Sequence, residues 1–255
     1  MMDPDSLEAY RQQLREWARP RPLYSPGSVS AAHALTHSWT GWMANGQPFP
    51  ATTPDAIRRA GESWPRDGIE PVEYRIHDDR VQILFRATPT VAPTFCAARA
   101  KGRLQHALQQ AGTPVRFSRK VSLRSVGENV VPAVQGYLRK QVRKEGFVDP
   151  RFEETLQEFT VEQPEVDLSQ AAETHSGRYW YNLHLVLVAG GRRRIEKPHY
   201  LRQIRDAFLR LAVEDDHAVR LLSVMPDHLH AALRGDVERS PEDIALGFLN
   251  GLAVA

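Results

Sequence analysis

"SVMPDHLHAALRG", residues 223–235, sets two histidines one residue apart in an apolar run that follows a Met-Pro-Asp turn signal. Side chains at i and i+2 of a β-strand leave the same face of the sheet, so His228 and His230 project together. Leu229 points to the other side, with the remaining apolar residues. Two imidazoles on one rigid face can bind a divalent ion, yet two are too few to close a structural zinc site. A third ligand and open positions have to come from elsewhere. A pair of half-buried histidines with no metal has the same spacing, and so short a pattern does not separate the two readings.

The surroundings of this stretch repeat an arrangement found earlier in the chain. "YWYNLHLVLVAG" (179–190) predicts a strand, "KPHYLRQIRDAFLRLAVEDD" (197–216) a long helix, and "AVRLLSVMPDHLHAALRG" (218–235) two strands about the Met-Pro-Asp turn. Ser240 is set to cap a helix whose first residue is Pro241, with Glu242 and Asp243 at its positive end. Nearer the start, a helix is expected around Ser6 to Trp17 and a strand over 32–43, with a short helix near Pro54 to Trp64. "VEYRIHDDRVQILFRAT" (72–88) reads as two strands joined at His77-Asp78-Asp79. A helix ending at Gly112, a strand over 115–127 and a helix over 130–146 follow. The order strand, helix, strand, strand, helix, strand, helix points to an α+β fold of ferredoxin-like type, with helices on one face of an antiparallel sheet.

Laying Asp79 on Asp227, an offset of 148, also pairs Arg86 with Arg234, Pro93 with Pro241, Ala97 with Ala245 and Leu104 with Leu252. Together with the shared element order, this favours two tandem ferredoxin-like copies, the second incomplete. The expected organisation is an N-terminal extension (1–28), a first copy (29–148), an acidic linker (149–176) and a second copy (177–255). The same offset sets Arg80 and Gln82 opposite His228 and His230, so the first copy lacks the histidine pair.

Composition narrows the class. The 255 residues are 42% apolar and 25% charged, ordinary for a globular chain, and contain no apolar run long enough to span a bilayer. The N-terminus lacks the apolar core of a signal peptide, and the single cysteine, Cys96, rules out an internal disulfide or a cysteine metal cage. A cytoplasmic protein is expected. A net charge of +2 hides a strong asymmetry: Ala97 to Lys144 holds 11 Lys or Arg against one acid, whereas Glu145 to Glu173 holds nine acids and one base. A basic block beside an acidic connector suits a phosphate-binding domain followed by a linker, and solvated helix faces produce part of the same pattern.

The final helix of the first copy contains "YLRKQ" (137–141), in which Tyr137 and Gln141 share one helical face, with Lys140, Arg143 and Lys144 close by. An ordinary amphipathic helix has the same look. In its order of elements, however, the chain resembles the single-tyrosine HUH transposases, including their REP-associated relatives. "VMPDHLHAALRG" looks like the HUH strand of that family, "YLRKQ" like its nucleophile helix, and "TVAPTFCAARAKGRL" (90–104) like the helix after the HUH strand.

The resemblance implies cleavage and rejoining of single-stranded or hairpin DNA by a tyrosine, through a 5′-phosphotyrosine. It implies Tyr137 as nucleophile, His228, His230 and Gln141 as ligands of Mg²⁺ or Mn²⁺, and a nucleoid-associated protein. Contacts to the DNA backbone are expected from Lys101, Arg103, Arg116, Arg119, Lys120 and Arg124, from Lys140, Arg143 and Lys144, and from Arg192, Arg193 and Arg194 at a hairpin end. A phenol near pKa 10 is a poor nucleophile at neutral pH, which is why such chemistry needs an activated phosphate or local positive charge.

The departures are as informative. Tyr137 and Gln141 lie in the copy without histidines, and His228 and His230 in a copy whose own tyrosine would fall beyond Ala255, as in a truncated chain. Because this family builds sites across a dimer, a tandem chain can act as an intramolecular pseudo-dimer, Tyr137 of copy one completing the histidine pair of copy two; a homodimer is the other arrangement. Competing expectations are a non-catalytic binder of single-stranded DNA, with Trp39, Trp42, Tyr179 and Trp180 as stacking or core residues, and a structural remnant that neither binds nor cuts. His175, His184 and His199 have no partner at ligand spacing and read as ordinary polar residues; His217 beside Asp215 and Asp216 reads as a helix end.

Overall fold

The structure, a computed structural model, describes residues 22–44, 46–127, 131–140, 154 and 156–254. The helix expected at 6–17 lies outside these, as do Gln141, Arg143 and Lys144. The earlier part of the chain forms β1 (Thr36–Met43), α1 (Thr53–Gly61), β2 (Ile69–Ile76), β3 (Arg80–Ala87), α2 (Pro93–Gln110), β4 (Phe117–Val126) and α3 (Val131–Arg139). The later part forms β5 (Thr160–Glu162), β6 (Ala172–Glu173), β7 (Gly177–Trp180), β8 (Asn182–Val188), α4 (Pro198–Glu214), β9 (Ala218–Val224), β10 (His228–Arg234) and α5 (Pro241–Ala253). The protein is of α+β class. Among the described residues no helix is long and apolar enough to cross a membrane.

Pro241 opens its helix as the sequence predicts, and Pro93 and Pro198 are likewise the first residues of α2 and α4, where a missing N–H breaks no helical bond. Ser240 closes a full capping box with Asp243, its Oγ accepting the Asp243 N–H at 3.1 Å while Asp243 Oδ2 accepts the Ser240 N–H at 3.3 Å. The α2 helix gives out before Gly112, which takes φ 74°, a conformation a side chain resists. The hairpin between β2 and β3 turns over residues 77–79, where it was expected.

The strands form two sheets, in the orders β2-β3-β1-β4-β7-β6 and β5-β9-β10-β8. In the first, β1 runs antiparallel to β3 and β4, and β2 antiparallel to β3; β7 joins β4 in parallel. Alternation on β3 puts Val81, Ile83 and Phe85 into the core and Arg80, Gln82 and Arg86 on the open face. Trp39, Leu123, Leu104 and Leu108 meet them from β1, β4 and α2. In the second sheet Leu229, Ala231 and Leu233 face the same continuous core, where Phe208 of α4 and Phe248 of α5 stack with centroids 4.0 Å apart.

The stretch expected as one strand over 179–190 is divided. Residues before Tyr181 extend the first sheet and those after it form an edge of the second. Tyr181 itself is fully buried at the crossing. The Ser125 hydroxyl holds the crossing in place, its one proton lying within reach of the carbonyls of Trp180 (2.9 Å) and Asn182 (3.1 Å) while its oxygen accepts the Asn182 N–H at 3.1 Å. The acidic stretch supplies β5 to one sheet and β6 to the other.

Gly177 is where β7 first meets β4, and a Cβ there would stand 2.2 Å from the Val121 carbonyl oxygen. Backbone cannot swing aside as a flexible side chain can. Gly177→Ala is therefore expected to lower stability by roughly 1–3 kcal/mol, the range for overpacking a closed site, read as a reduced urea midpoint. Gly136→Ala, where a Cβ meets nothing within 4 Å, is the matched control.

Candidate active site

The His-x-His strand is β10, central in its sheet between β8 and β9. His230 stands opposite Val186 of β8 and Ser223 of β9, and His228 opposite Val188, so both imidazoles do share one face. His230 is buried and His228 half-buried, with ring centroids 4.9 Å apart. Burial, reinforced by the charges of His228 and His184, lowers the His230 pKa to about 4, so this imidazole is neutral at physiological pH, the form that binds a metal.

Each histidine is held through Nδ1. His228 Nδ1 lies 2.6 Å from Asp227 Oδ1, and His230 Nδ1 lies 3.1 Å from His184 Nε2. Asp227 is in turn bridged by Arg192, whose Nη1 approaches Oδ2 at 3.3 Å. Burial works against the Asp227 carboxylate, but the hydrogen bond and charge of His228, with Arg192, outweigh it and keep the group below the usual carboxylate range. His184, read from the sequence as an ordinary polar residue, meets His230 edge to edge, with ring centroids 5.3 Å apart and 23° between planes. It reaches there because β8 pairs with β10, His184 facing Ala232 across the ladder.

The tyrosine helix α3 follows β4 in the chain but docks on the other sheet. Leu138 is fully buried there with Leu221, Ala232 and Leu168, beside Val134. Burying one leucine contributes about 1.5–3 kcal/mol. Arg139 adds a two-pronged ion pair to Glu162 of β5 (Nε to Oε2, 3.0 Å), and Arg220 of β9 reaches the same carboxylate at 2.8 Å. The hydrogen bond from Arg139 holds the Glu162 carboxyl below its ordinary range. One residue before Leu138, the Tyr137 ring stands edge-on to His230 at 5.7 Å and to His184 at 6.3 Å. Tyr137 is 41% exposed, so the cluster opens to solvent on this side.

Among the described residues each β10 histidine is engaged through Nδ1, which leaves its Nε2 for a divalent ion, as is usual when an outer partner orients a ligand. Among the described residues no group of three or more His, Cys, Asp or Glu is arranged to hold an ion. Gln141, expected as the third ligand, lies outside the described residues.

The cations named from the sequence fall into different settings. Lys101 lies along the start of β4, its Nζ donating to the Ser118 carbonyl at 2.7 Å, and Arg103 grips Asp67 through two bonds of 2.9 and 3.1 Å. Both are engaged inside the first half. Arg116, Arg119, Lys120 and Arg124 are exposed on or beside β4, with the Arg124 guanidinium 4.4 Å over the Trp180 ring. Lys140, Arg193 and Arg194 are exposed as well. Arg192 is joined to the histidine cluster through Asp227.

On β3, Arg80 leans on Asp79 at 3.4 Å and Gln82 donates to Ser38 Oγ at 2.8 Å. Of the aromatics, Trp39 and Tyr179 belong to the core, whereas Trp42 and Trp180 are half-buried. His175 and His199 are exposed; His217 is buried, its Nδ1 accepting the Asp236 N–H at 3.1 Å.

Sequence reasoning passed over His184 and gave Asp227 no role beyond the turn. For His184 the available signal was its even spacing along "NLHLVLV", on the side of the strand opposite to Leu183, Leu185 and Leu187.

No protein family and no curated protein matches the sequence. Among solved structures, one similar to this chain is that of a candidate transposase from Deinococcus radiodurans R1, with a TM-score of 0.35 and 14% identity, covering 44% of this chain and 95% of that one. Another is the ligand-free regulatory subunit of aspartate kinase from Thermus thermophilus, with a TM-score of 0.21 and 8% identity over 89% of this chain and 99% of that one. At such scores neither carries an argument about fold or activity.

Proposed function

We propose that the chain is a DNA-cleaving and rejoining protein of the single-tyrosine HUH kind, with one composite site: Tyr137 from the first half, His228 and His230 from the second. The observation that carries this reading is the Tyr137 ring 5.7 Å from His230, across a sequence separation that no local rule spans. The strand orders β2-β3-β1-β4 and β9-β10-β8 support two tandem ferredoxin-like units, since each sets its hairpin beside its first strand in the same way.

In the proposed reaction the Tyr137 oxygen attacks phosphorus in single-stranded or hairpin DNA. The phenolic proton passes to water, the P–O3′ bond breaks, and the departing 3′-oxygen takes a proton to become a free hydroxyl. The 5′-phosphotyrosine keeps the energy of the ester, so reversal onto another 3′-hydroxyl rejoins a strand without an outside energy source. A Mg²⁺ or Mn²⁺ ion, when bound by His228 and His230, would polarise the scissile phosphate. Asp227 keeps His228 in one tautomer, Leu138 and Arg139 keep the tyrosine helix on the sheet, and the exposed cations of β4 and the 192–194 turn meet the backbone phosphates.

The test is incubation of the purified chain with labelled single-stranded hairpin DNAs and Mn²⁺, scored for a covalent adduct on a denaturing gel. An adduct lost in His228→Ala supports the reading. DNA binding that persists in chelator, with no adduct when Mn²⁺ is bound, replaces it with a non-catalytic DNA binder.

A further inference from the structure

Resting on that reading, we propose that His184 is the positioning residue for His230: its Nε2 accepts the His230 Nδ1–H and so presents the His230 Nε2 lone pair to a divalent ion. The 3.1 Å contact between two imidazole nitrogens requires that one carry the proton and the other accept it. If His230 is to bind a metal through Nε2, its Nδ1 must be the protonated nitrogen, and His184 is then the acceptor. The β10 pair thus has two different supports, a carboxylate behind His228 and an imidazole behind His230.

Three features of the surroundings favour this role. The rings meet edge to edge with their planes within 23° of each other, so the nitrogen–nitrogen contact lies close to both ring planes, which fixes the orientation of His230 as well as its tautomer. His184 sits on an edge strand whose pairing with β10 is continuous from Asn182 to Val188, so the imidazole is carried on rigid backbone. Tyr137 packs edge-on against both rings, so a change at His184 is felt by the tyrosine and the metal-facing histidine together.

The experiment is Mn²⁺ titration of the full chain without DNA, by calorimetry and by the free-Mn²⁺ electron paramagnetic resonance signal, in wild type, His184→Leu, His184→Gln and His228→Ala. His184 is exposed, so His184→Leu is expected to fold, with an unchanged circular dichroism melt as the check. Loss of an outer partner of a metal-bound histidine costs about 10–100-fold in affinity, and His184→Leu is expected in that range. His184→Gln keeps a side-chain acceptor and is expected to recover to within a few-fold of wild type.

Unchanged Mn²⁺ affinity in His184→Leu, with binding abolished in His228→Ala, overturns the inference and leaves the composite site standing. Equal weakening in the Leu and Gln variants also overturns it, because His184 would then act as more than an acceptor. No Mn²⁺ binding by wild type removes the metal site and this inference with it.

Discussion

Tyr137→Phe is expected to reduce the covalent protein–DNA adduct by roughly 10³-fold or more, the scale on which removal of a nucleophile is felt when the rest of a site is intact. The substitution removes one oxygen and leaves the ring. The edge-on contacts with His230 and His184 survive, as do the buried Leu138 anchor and the Arg139 ion pair, so the helix stays where it is. With the ring and these anchors kept, the fold is expected to persist, an unchanged circular dichroism melt being the check. Mn²⁺ affinity and hairpin binding should match wild type. That separation identifies the hydroxyl as the group that reacts, since a misplaced helix would disturb all three properties. The measurement is the denaturing gel, with the linked residue located by mass spectrometry after nuclease digestion. A full adduct in Tyr137→Phe places the nucleophile elsewhere and ends the composite-site reading.

Acidification is expected to destabilise the fold through His37. This residue faces the core from β1, is 1% exposed, and has no hydrogen-bond partner at either ring nitrogen among the described residues. Burial lowers its pKa from 6.5 to about 4. In the unfolded chain it titrates near 6.5, so between those values the unfolded state binds a proton that the folded state refuses. Stability from this group is complete above pH 6.5 and lost as pH falls toward 4. At 1.36 kcal/mol per pH unit, the loss is about 3 kcal/mol. Buried His230 adds a contribution of the same sign. Urea unfolding at pH 7 and pH 4 measures the total, and His37→Phe, which fills the site with a ring that cannot protonate, should remove His37's share of the difference. An identical pH dependence in wild type and His37→Phe would show that the buried imidazole accepts its proton without cost.

Much of the architecture was legible in short stretches of sequence, because the rules involved act over a few residues. Alternation in "HLHAALR" placed His228 and His230 on one face, Ser240-Pro241 started a helix, and His77-Asp78-Asp79 turned a hairpin. The offset of 148 that pairs Pro93 with Pro241 also pairs the first residues of β3 and β10, Arg80 and His228.

Other features depended on partners distant in the chain. Division of the 177–188 run at Tyr181 follows from the Ser125 hydroxyl in β4, and no periodicity within the run announces it. Lys101 and Arg103, cations in a basic block, are taken up by the Ser118 carbonyl and Asp67, which only packing brings near. His184 had no histidine at ligand spacing in sequence, yet it lies 3.1 Å from His230 because two strands pair. The sequence by itself determined which residue types share a face and where each element begins. Which sheet the tyrosine helix covers was decided only in the tertiary structure, because that choice depends on matching the Leu138 side and Arg139 of one half to Leu221, Ala232 and Glu162 of the other. The fit is one of shape and charge between surfaces that exist only once both sheets have formed.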